Sequence, residues 1–191
     1  MSVVADLAAY STVVIHLIWI IGIAAFLVNR TPIGMNNILE GPKKALQQSY
    51  REISFILALS ATIGSLYFSE VLMLDPCPLC WYQRIFMYPL VILFLTAILM
   101  MKKDVHLYAV PLALIGAGIS AYHYAVQMVD EVSSGCAAGA SCEAAHLMYF
   151  EYVTIPMMAF TAFISILVIN LKFTGEEKEK EENYFEDIYS S

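Results

Sequence analysis

Charge is scarce in this chain of 191 residues, because only 14% of them are Asp, Glu, Lys or Arg while 60% are hydrophobic. The mean hydropathy of +0.68 lies far outside the range of ordinary soluble domains. No connection between the apolar stretches is long enough for a separate soluble domain of about 50 residues or more. These shortages exclude a soluble globular enzyme and predict a protein that works in a membrane or at its surface.

Two further absences narrow the possibilities. The first apolar stretch has no basic segment before it and is longer than the roughly 7–15 apolar residues of a secretory signal peptide, so we expect a retained helix. No flavin or haem motif occurs in the chain. Redox chemistry, if present, therefore needs an electron acceptor from outside the polypeptide.

Long apolar stretches are what the chain has instead. A membrane-spanning helix needs about 20 predominantly apolar residues. Five such stretches are present, which predicts an all-α integral membrane protein; they cover approximately Leu7–Val28, Ile53–Leu74, Ile85–Met101, Val105–Val129 and Tyr152–Leu171.

The basic residues predict the orientation, because Lys and Arg collect in short cytoplasmic loops. Nine of the ten fall on one side of the alternating spans, and only Arg84 falls on the other. The C-terminus is then cytoplasmic and the connections that carry the cysteines face outwards. Seven of the 17 acidic residues lie between Glu176 and Ser191, in a segment too polar to fold alone, which we expect to be disordered or a fraying helical end.

All four cysteines lie in the outward connections, on the oxidising side of the membrane. Cys77 and Cys80 form a C-x2-C pair, and Cys136 and Cys142 form a C-x5-C pair beyond a transmembrane hairpin. The two loops therefore emerge on one surface, where disulfide exchange between the pairs is geometrically possible.

Exchange needs a thiolate, and the position of the first pair favours one. Cys77 and Cys80 lie just before the third span, where the free N–H groups of a helix start favour an anion. Arg84 adds a full positive charge about one turn further on. The second loop is rich in Gly, Ala and Ser around its cysteines, so we expect it to be mobile and able to present a disulfide to a soluble partner.

Other interpretations stay open. Cys136 and Cys142 could form a purely structural disulfide in a non-enzymatic scaffold, and Arg84 could be an interfacial arginine that reaches lipid phosphate. Four cysteines in two close pairs also match the donors of a tetrahedral zinc site, although such sites usually organise a soluble domain. Metal analysis of the purified protein tests the zinc site.

Several segments resemble the DsbB family of disulfide bond formation proteins, in particular its compact BdbC-type branch. The most specific is Pro76-Cys-Pro-Leu-Cys-Trp-Tyr-Gln-Arg-Ile, which follows Gly64-Ser-Leu-Tyr-Phe-Ser-Glu and precedes Met87-Tyr-Pro-Leu. Further matches are Ile119-Ser-Ala-Tyr-His-Tyr, the second cysteine pair and Val153-Thr-Ile-Pro-Met-Met-Ala-Phe. The resemblance covers about residues 50–172.

The resemblance implies a four-helix transmembrane bundle, here with one additional N-terminal transmembrane helix. Residues 1–48 would hold that helix and an interfacial cytoplasmic loop, residues 49–172 the bundle with its two outer cysteine loops, and residues 173–191 the acidic tail. It also implies a multi-pass protein of a bacterial or archaeal cell membrane. We have no functional explanation for the additional helix from the sequence.

The family reoxidises a soluble DsbA-like thioredoxin-fold protein and passes the electrons to membrane quinone, ubiquinone or menaquinone. By resemblance, Cys136 would form the mixed disulfide with the partner and Cys142 would exchange with Cys77. Cys80 would then face the quinone ring, with Arg84 and His123 beside it, although a histidine on an apolar helix is more often a packing group. We expect lipid and quinone as partners, but no catalytic metal and no nucleic acid.

A quinone reductase similar to the vitamin K epoxide reductase family is the enzymatic alternative, since that family also joins two outer cysteine pairs to a quinone. Its order is reversed, with the loop pair before the C-x-x-C motif, which counts against it here.

Overall fold

Five helices and one short hairpin make up the described part of the chain. The computed structural model describes residues 3–29, 49–102, 104–128, 148–150 and 152–190. Side chains are described only as far as residue 22 in the first range and residue 172 in the last. The elements are α1 (Val3–Asn29), α2 (Tyr50–Leu66), α3 (Pro78–Leu99), α4 (His106–Met128), β1 (Met148–Tyr149), β2 (Val153–Thr154) and α5 (Ile155–Ser190). All five helices are long and apolar enough to cross a membrane.

Four of the helices close into a bundle. Helix α2 packs on α3, α3 on α4, α4 on α5 and α5 again on α2, while α1 lies outside this ring against α5 and α2. The prediction of an all-α membrane protein with a four-helix bundle and an additional N-terminal helix is confirmed. The antiparallel two-residue strands, which pair Met148 with Thr154 and Tyr149 with Val153, were not predicted.

Close packing of α4 on α5 depends on small residues. Ala109, Ala113 and Gly116 form the buried face of α4, and the rings and branched chains of α5 fill the space against it. A Cβ atom at Gly116 would overlap the ring of Phe163, so only glycine permits this approach. Small residues are the usual means by which membrane helices pack closely.

Polar contacts also join α2 to α3 and α2 to α5. Arg51, in the first turn of α2, donates to the carbonyl oxygens of Lys102 at 3.1 Å and Ala97 at 3.5 Å, at and beyond the last turn of α3. A cation is favourable there because the free carbonyl groups of a helix end carry partial negative charge. In the bundle interior, the Asn170 amide donates to Ser54 Oγ at 3.1 Å and joins α5 to α2.

The connection from α2 to α3 is irregular and leads directly to the first cysteine pair. Residues Tyr67–Val71 form a π-helical turn, a feature often found at functional sites. Met73 then has a φ of 52°, and the chain runs without helix or strand to Cys77. Helix α3 begins at Pro78, earlier than the predicted span at Ile85. Its first two turns contain the polar residues Gln83 and Arg84, which are buried in the protein and which hydropathy leaves outside a span.

Helix α5 continues as far as Ser190, so the backbone of the acidic segment is helical. Glu and Lys are strong helix formers, which explains why this polar segment extends the span. Cys136 and Cys142 lie outside the described residues, as does most of the segment predicted to run along the inner membrane surface. The predicted domain boundaries at residues 48 and 172 stay predictions.

Candidate functional site

Cys77 and Cys80 lie at the N-terminal end of α3. Cys77 is the N-cap residue, Pro78 takes the first helical position, where its missing N–H costs nothing, and Cys80 follows in the first turn. The two Sγ atoms are 3.6 Å apart. Cys77 is 5% exposed and Cys80 is half-buried, so the pair lies at the start of a helix whose free N–H groups favour a negative charge on sulfur.

A buried histidine and glutamine extend from Cys77 into the bundle. His123 of α4, 1% exposed, places its Nε2 atom 3.5 Å from Cys77 Sγ. On the other side of the ring, Gln83 Nε2 lies 3.0 Å from His123 Nδ1. A Gln83 amide that donates to Nδ1 would leave Nε2 to donate to the sulfur of Cys77.

Arg84 is buried within the protein. Its Nε atom donates to Ser65 Oγ at 2.9 Å and its Nη2 atom to the Ser65 carbonyl oxygen at 3.0 Å. The guanidinium carbon lies 5.1 Å from the centre of the Trp81 ring, and the side chain is only 8% exposed. The alternative of an interfacial arginine that reaches lipid phosphate is therefore wrong, since the fork of Arg84 is held by α2.

These side chains meet at one cavity of about 640 Å³. Its walls come from α1, α2, α3 and α5, with a contribution from α4, and they are mainly apolar. The polar side chains that reach it include Cys77, Cys80, Gln83, Arg84 and His123. A single volume thus joins the cysteine pair to the buried cation and the buried imidazole.

Two residues of the cavity wall carry a buried polar atom that has no hydrogen-bond partner in the described part of the chain. Tyr88 Oη and Gln127 Oε1 are buried, and neither has a hydrogen-bond partner among the described residues. Tyr88 lies one helical turn beyond Arg84 on α3, and Gln127 one turn beyond His123 on α4. An unpaired buried polar atom costs about 1–3 kcal/mol, so a ligand in the cavity that came within reach of either atom would supply a hydrogen bond that the described residues leave unmade.

The same centre offers donors for a metal ion. The ligand atoms of Cys77, Cys80 and His123 all lie within 4.8 Å of one another. Two thiolates and an imidazole suit a soft ion such as Zn²⁺, which would need a fourth ligand. This set differs from the four-cysteine zinc site that the sequence left open, and metal analysis tests both.

The structure brings together four of the six predicted site residues, namely Cys77, Cys80, Arg84 and His123. The roles of Cys136 and Cys142 stay predictions. The sequence places Tyr88 with Trp81 and Tyr82 in an aromatic belt at the membrane interface, from which any of them could touch a quinone, but Tyr88 is half-buried in the structure. The sequence did not single out Ser65, Gln83 and Gln127. A spacing of four residues from His123 could have indicated Gln127, whereas nothing in the sequence signals Ser65. Trp81 and Tyr82 are exposed, as a membrane-interface aromatic belt requires.

Comparison with known proteins finds a family model and several relatives that match the chain. The family model described as disulfide bond formation protein DsbB matches residues 48–173. The chain is similar to disulfide bond formation protein C of Bacillus subtilis, with 43% identity over 128 residues, 66% of this chain and 93% of that protein. It is also similar to the probable disulfide formation protein C of Halalkalibacterium halodurans, with 42% identity over 126 residues, 65% of this chain and 92% of that protein. No solved structure matches the chain significantly.

Proposed function

The chain belongs to the DsbB family of disulfide bond formation proteins, and from this premise we propose that it transfers electrons from a soluble DsbA-like thioredoxin-fold protein to membrane quinone. The observation that carries the proposal is the shared cavity, which connects Cys77 and Cys80 to Arg84 and His123 and whose wall includes Tyr88 and Gln127. A thiol-disulfide oxidoreductase needs such a connection, because electrons must leave the cysteine pair for an acceptor.

The cavity fits a quinone head group. Its volume of about 640 Å³ lies within the roughly 300–1,000 Å³ of small-molecule sites, and its apolar walls suit an acceptor that dissolves in lipid. The phenol of Tyr88 can donate to a carbonyl oxygen, and Gln127 Oε1 can accept from a hydroxyl. The residues therefore fit both ubiquinone and menaquinone, whose rings carry two oxygen atoms on opposite sides.

The reaction proposed at this site is the oxidation of two thiols to a disulfide, which releases two electrons and two protons. A bound quinone would accept both electrons and, with two protons, become the quinol. The start of α3 stabilises a thiolate at the cysteine pair, His123 Nε2 holds the sulfur of Cys77 in place, and Arg84 provides positive charge in the same cavity. Cys80, which is less buried than Cys77, is the sulfur we assign to face the acceptor.

The second cysteine pair would connect this centre to the soluble partner. We assign Cys136 to the mixed disulfide with the partner and Cys142 to exchange with Cys77, with both loops on the extracytoplasmic side and the C-terminus in the cytoplasm. A DsbA-like partner is a strong oxidant at about −120 mV, so its reoxidation requires an acceptor of still higher potential. The uneven distribution of Lys and Arg supports this orientation.

Cysteine variants test the route. Purified protein in detergent is mixed with a reduced DsbA-like protein and a short-chain quinone, and quinone reduction is followed by absorbance. We expect Cys77→Ala and Cys80→Ala to abolish the reaction. Cys136→Ala should block oxidation of the partner, yet leave Cys77 and Cys80 oxidisable by quinone after chemical reduction.

The outcomes separate the alternatives. Full partner oxidation by Cys80→Ala would contradict the route, and no quinone reduction by the unaltered protein would favour a scaffold with structural disulfides. A stoichiometric metal in the purified protein would favour the zinc site. A quinone reductase similar to vitamin K epoxide reductase remains the enzymatic alternative, and failure to oxidise any DsbA-like protein despite quinone reduction would favour it.

A further inference from the structure

Helix α1 lies outside the part of the chain that the family shares. The family model begins at residue 48, and the Bacillus subtilis relative matches over 93% of its own length while covering only 66% of this chain. Helix α1, Val3–Asn29, is therefore an addition to the four-helix bundle, and its position relative to the cavity is specific to this chain.

One face of α1 is fitted closely to the bundle. Ala5, Ala9 and Thr12 are buried, and His16 and Trp19 continue the same stripe at spacings of four and three residues. Because lipid and leucine are equally apolar, association of membrane helices depends on packing and polar contacts rather than on the hydrophobic effect. A stripe of this kind indicates specific docking.

Polar and aromatic contacts hold the stripe in register. His16 Nε2 lies 2.8 Å from Thr161 Oγ1, and Trp19 Nε1 donates to Ser165 Oγ at 3.3 Å, both on α5. The ring of His16 also stacks on that of Tyr152, with centroids 6.0 Å apart. Helix α1 is thus joined to α5 by two hydrogen bonds one turn apart, which fixes its rotation about its own axis.

That rotation turns a second stripe of α1 towards the cavity. The residues that line it are Val4, Leu7, Ala8, Ser11, Thr12 and Ile15. Since α1 contacts both α5 and α2, it covers the side of the cavity between those two helices. The four-helix bundle by itself would leave that side open to lipid.

We propose that α1 selects the electron acceptor, because its residues form one wall of the cavity in which the cysteine pair meets quinone. The inference rests on the proposed function and deepens it. A wall of side chains limits the width of the ring that can reach Cys80, so it discriminates between a one-ring benzoquinone and a two-ring naphthoquinone. Ala8 and Ser11 are the small residues of this wall and leave the space that a wider ring needs.

Paired substitutions on two faces of α1 test this role. Ala8→Leu narrows the cavity and Leu7→Ala widens it. The matched controls, Val14→Leu and Leu17→Ala, change exposed residues of α1 that do not line the cavity. The probes are a short-chain ubiquinone and a short-chain menaquinone, and their Kd values are measured by quenching of tryptophan fluorescence in the full-length protein.

We expect Ala8→Leu to raise the ratio of the menaquinone Kd to the ubiquinone Kd by about tenfold, the effect of a few methylene groups in an apolar pocket. Leu7→Ala should lower the ratio, and both controls should leave it unchanged. A ratio that moves no more in the cavity variants than in the controls would overturn the role of α1 while leaving quinone reduction intact. Absence of quinone binding and reduction in the unaltered protein would instead overturn the proposed function, and the inference with it.

A second measurement needs no variant and so does not depend on whether the variants fold. A short-chain quinone that carries an azido group is illuminated with the unaltered protein, and the labelled peptides are identified by mass spectrometry. We expect label on the peptide that contains residues 4–15 as well as on α3. Label confined to α2, α3, α4 and α5 would exclude α1 from the wall.

Discussion

Replacing Gly116 with alanine tests the packing that places His123 beside the cysteine pair. His123 lies two helical turns beyond Gly116 on the same face of α4. The added Cβ would overlap the Phe163 ring of α5. Overpacking of this kind costs typically about 1–3 kcal/mol, because side chains must leave their preferred rotamers or the helices must separate.

The same helix supplies the control. At Gly118 an added Cβ meets no atom within 4 Å, so Gly118→Ala should only gain helix propensity, about 0.8–1.0 kcal/mol. Both variants receive this gain, and the difference between them isolates the overlap. We expect Gly116→Ala to be less stable than Gly118→Ala by about 1–3 kcal/mol.

The assay is unfolding of the purified protein in mixed micelles by increasing SDS, followed by the loss of helical circular dichroism. Quinone reduction is measured on the same samples, and we expect it to fall in Gly116→Ala because a displacement of α4 changes the position of His123 relative to Cys77. Phe163→Leu should recover part of the stability lost by Gly116→Ala in the double variant. Equal stability of the two alanine variants would refute the argument.

The remaining predictions concern the polar groups and the orientation. Gln83→Leu removes the contact that orients the His123 ring beside Cys77. We expect quinone reduction to slow by about one to two orders of magnitude, the effect of losing about 1–3 kcal/mol of transition-state stabilisation. An unchanged rate would show that Gln83 does not position His123. Arg84→Lys should raise the KM for quinone, measured by steady-state kinetics. A lysine ammonium group cannot donate to Ser65 Oγ and to the Ser65 carbonyl oxygen with the planar geometry of the guanidinium group. Ser65→Ala, which removes one of these contacts, should raise the KM less. A membrane-impermeant maleimide applied to reduced intact cells should label Cys136 in a Cys77→Ala background, because the loop is predicted to lie outside the cytoplasm. Labelling only after lysis would place Cys136 in the cytoplasm and contradict this prediction.

Much of the architecture could be predicted because it depends on local properties of the chain. Each span is recognisable from about 20 consecutive apolar residues, since the thickness of the bilayer sets the length of a crossing helix. The cysteine motif, with Cys77, Cys80 and Arg84 within eight residues, is equally local. Spacing along a helix is therefore enough to place Arg84 near the cysteines.

Other parts of the site depended on helix packing. Gln83, His123 and Cys77 form a connected series only because α3 and α4 are neighbours, and the partners are 40 and 46 residues apart in sequence. Ser65 holds Arg84 from a third helix. Hydropathy could not reveal these contacts, because a polar residue within an apolar span is compatible with several interior partners or with the interface.

The cysteine motif and the five spans were thus determined by the sequence alone, since residue type and bilayer thickness suffice to define them. The position of α1 was decided only by the tertiary structure. Its residues are apolar on nearly every side, so their pattern does not show which face contacts protein and which faces lipid. Hydrogen bonds from His16 and Trp19 to α5 settle that rotation, and with it the residues that α1 contributes to the cavity beside Cys80.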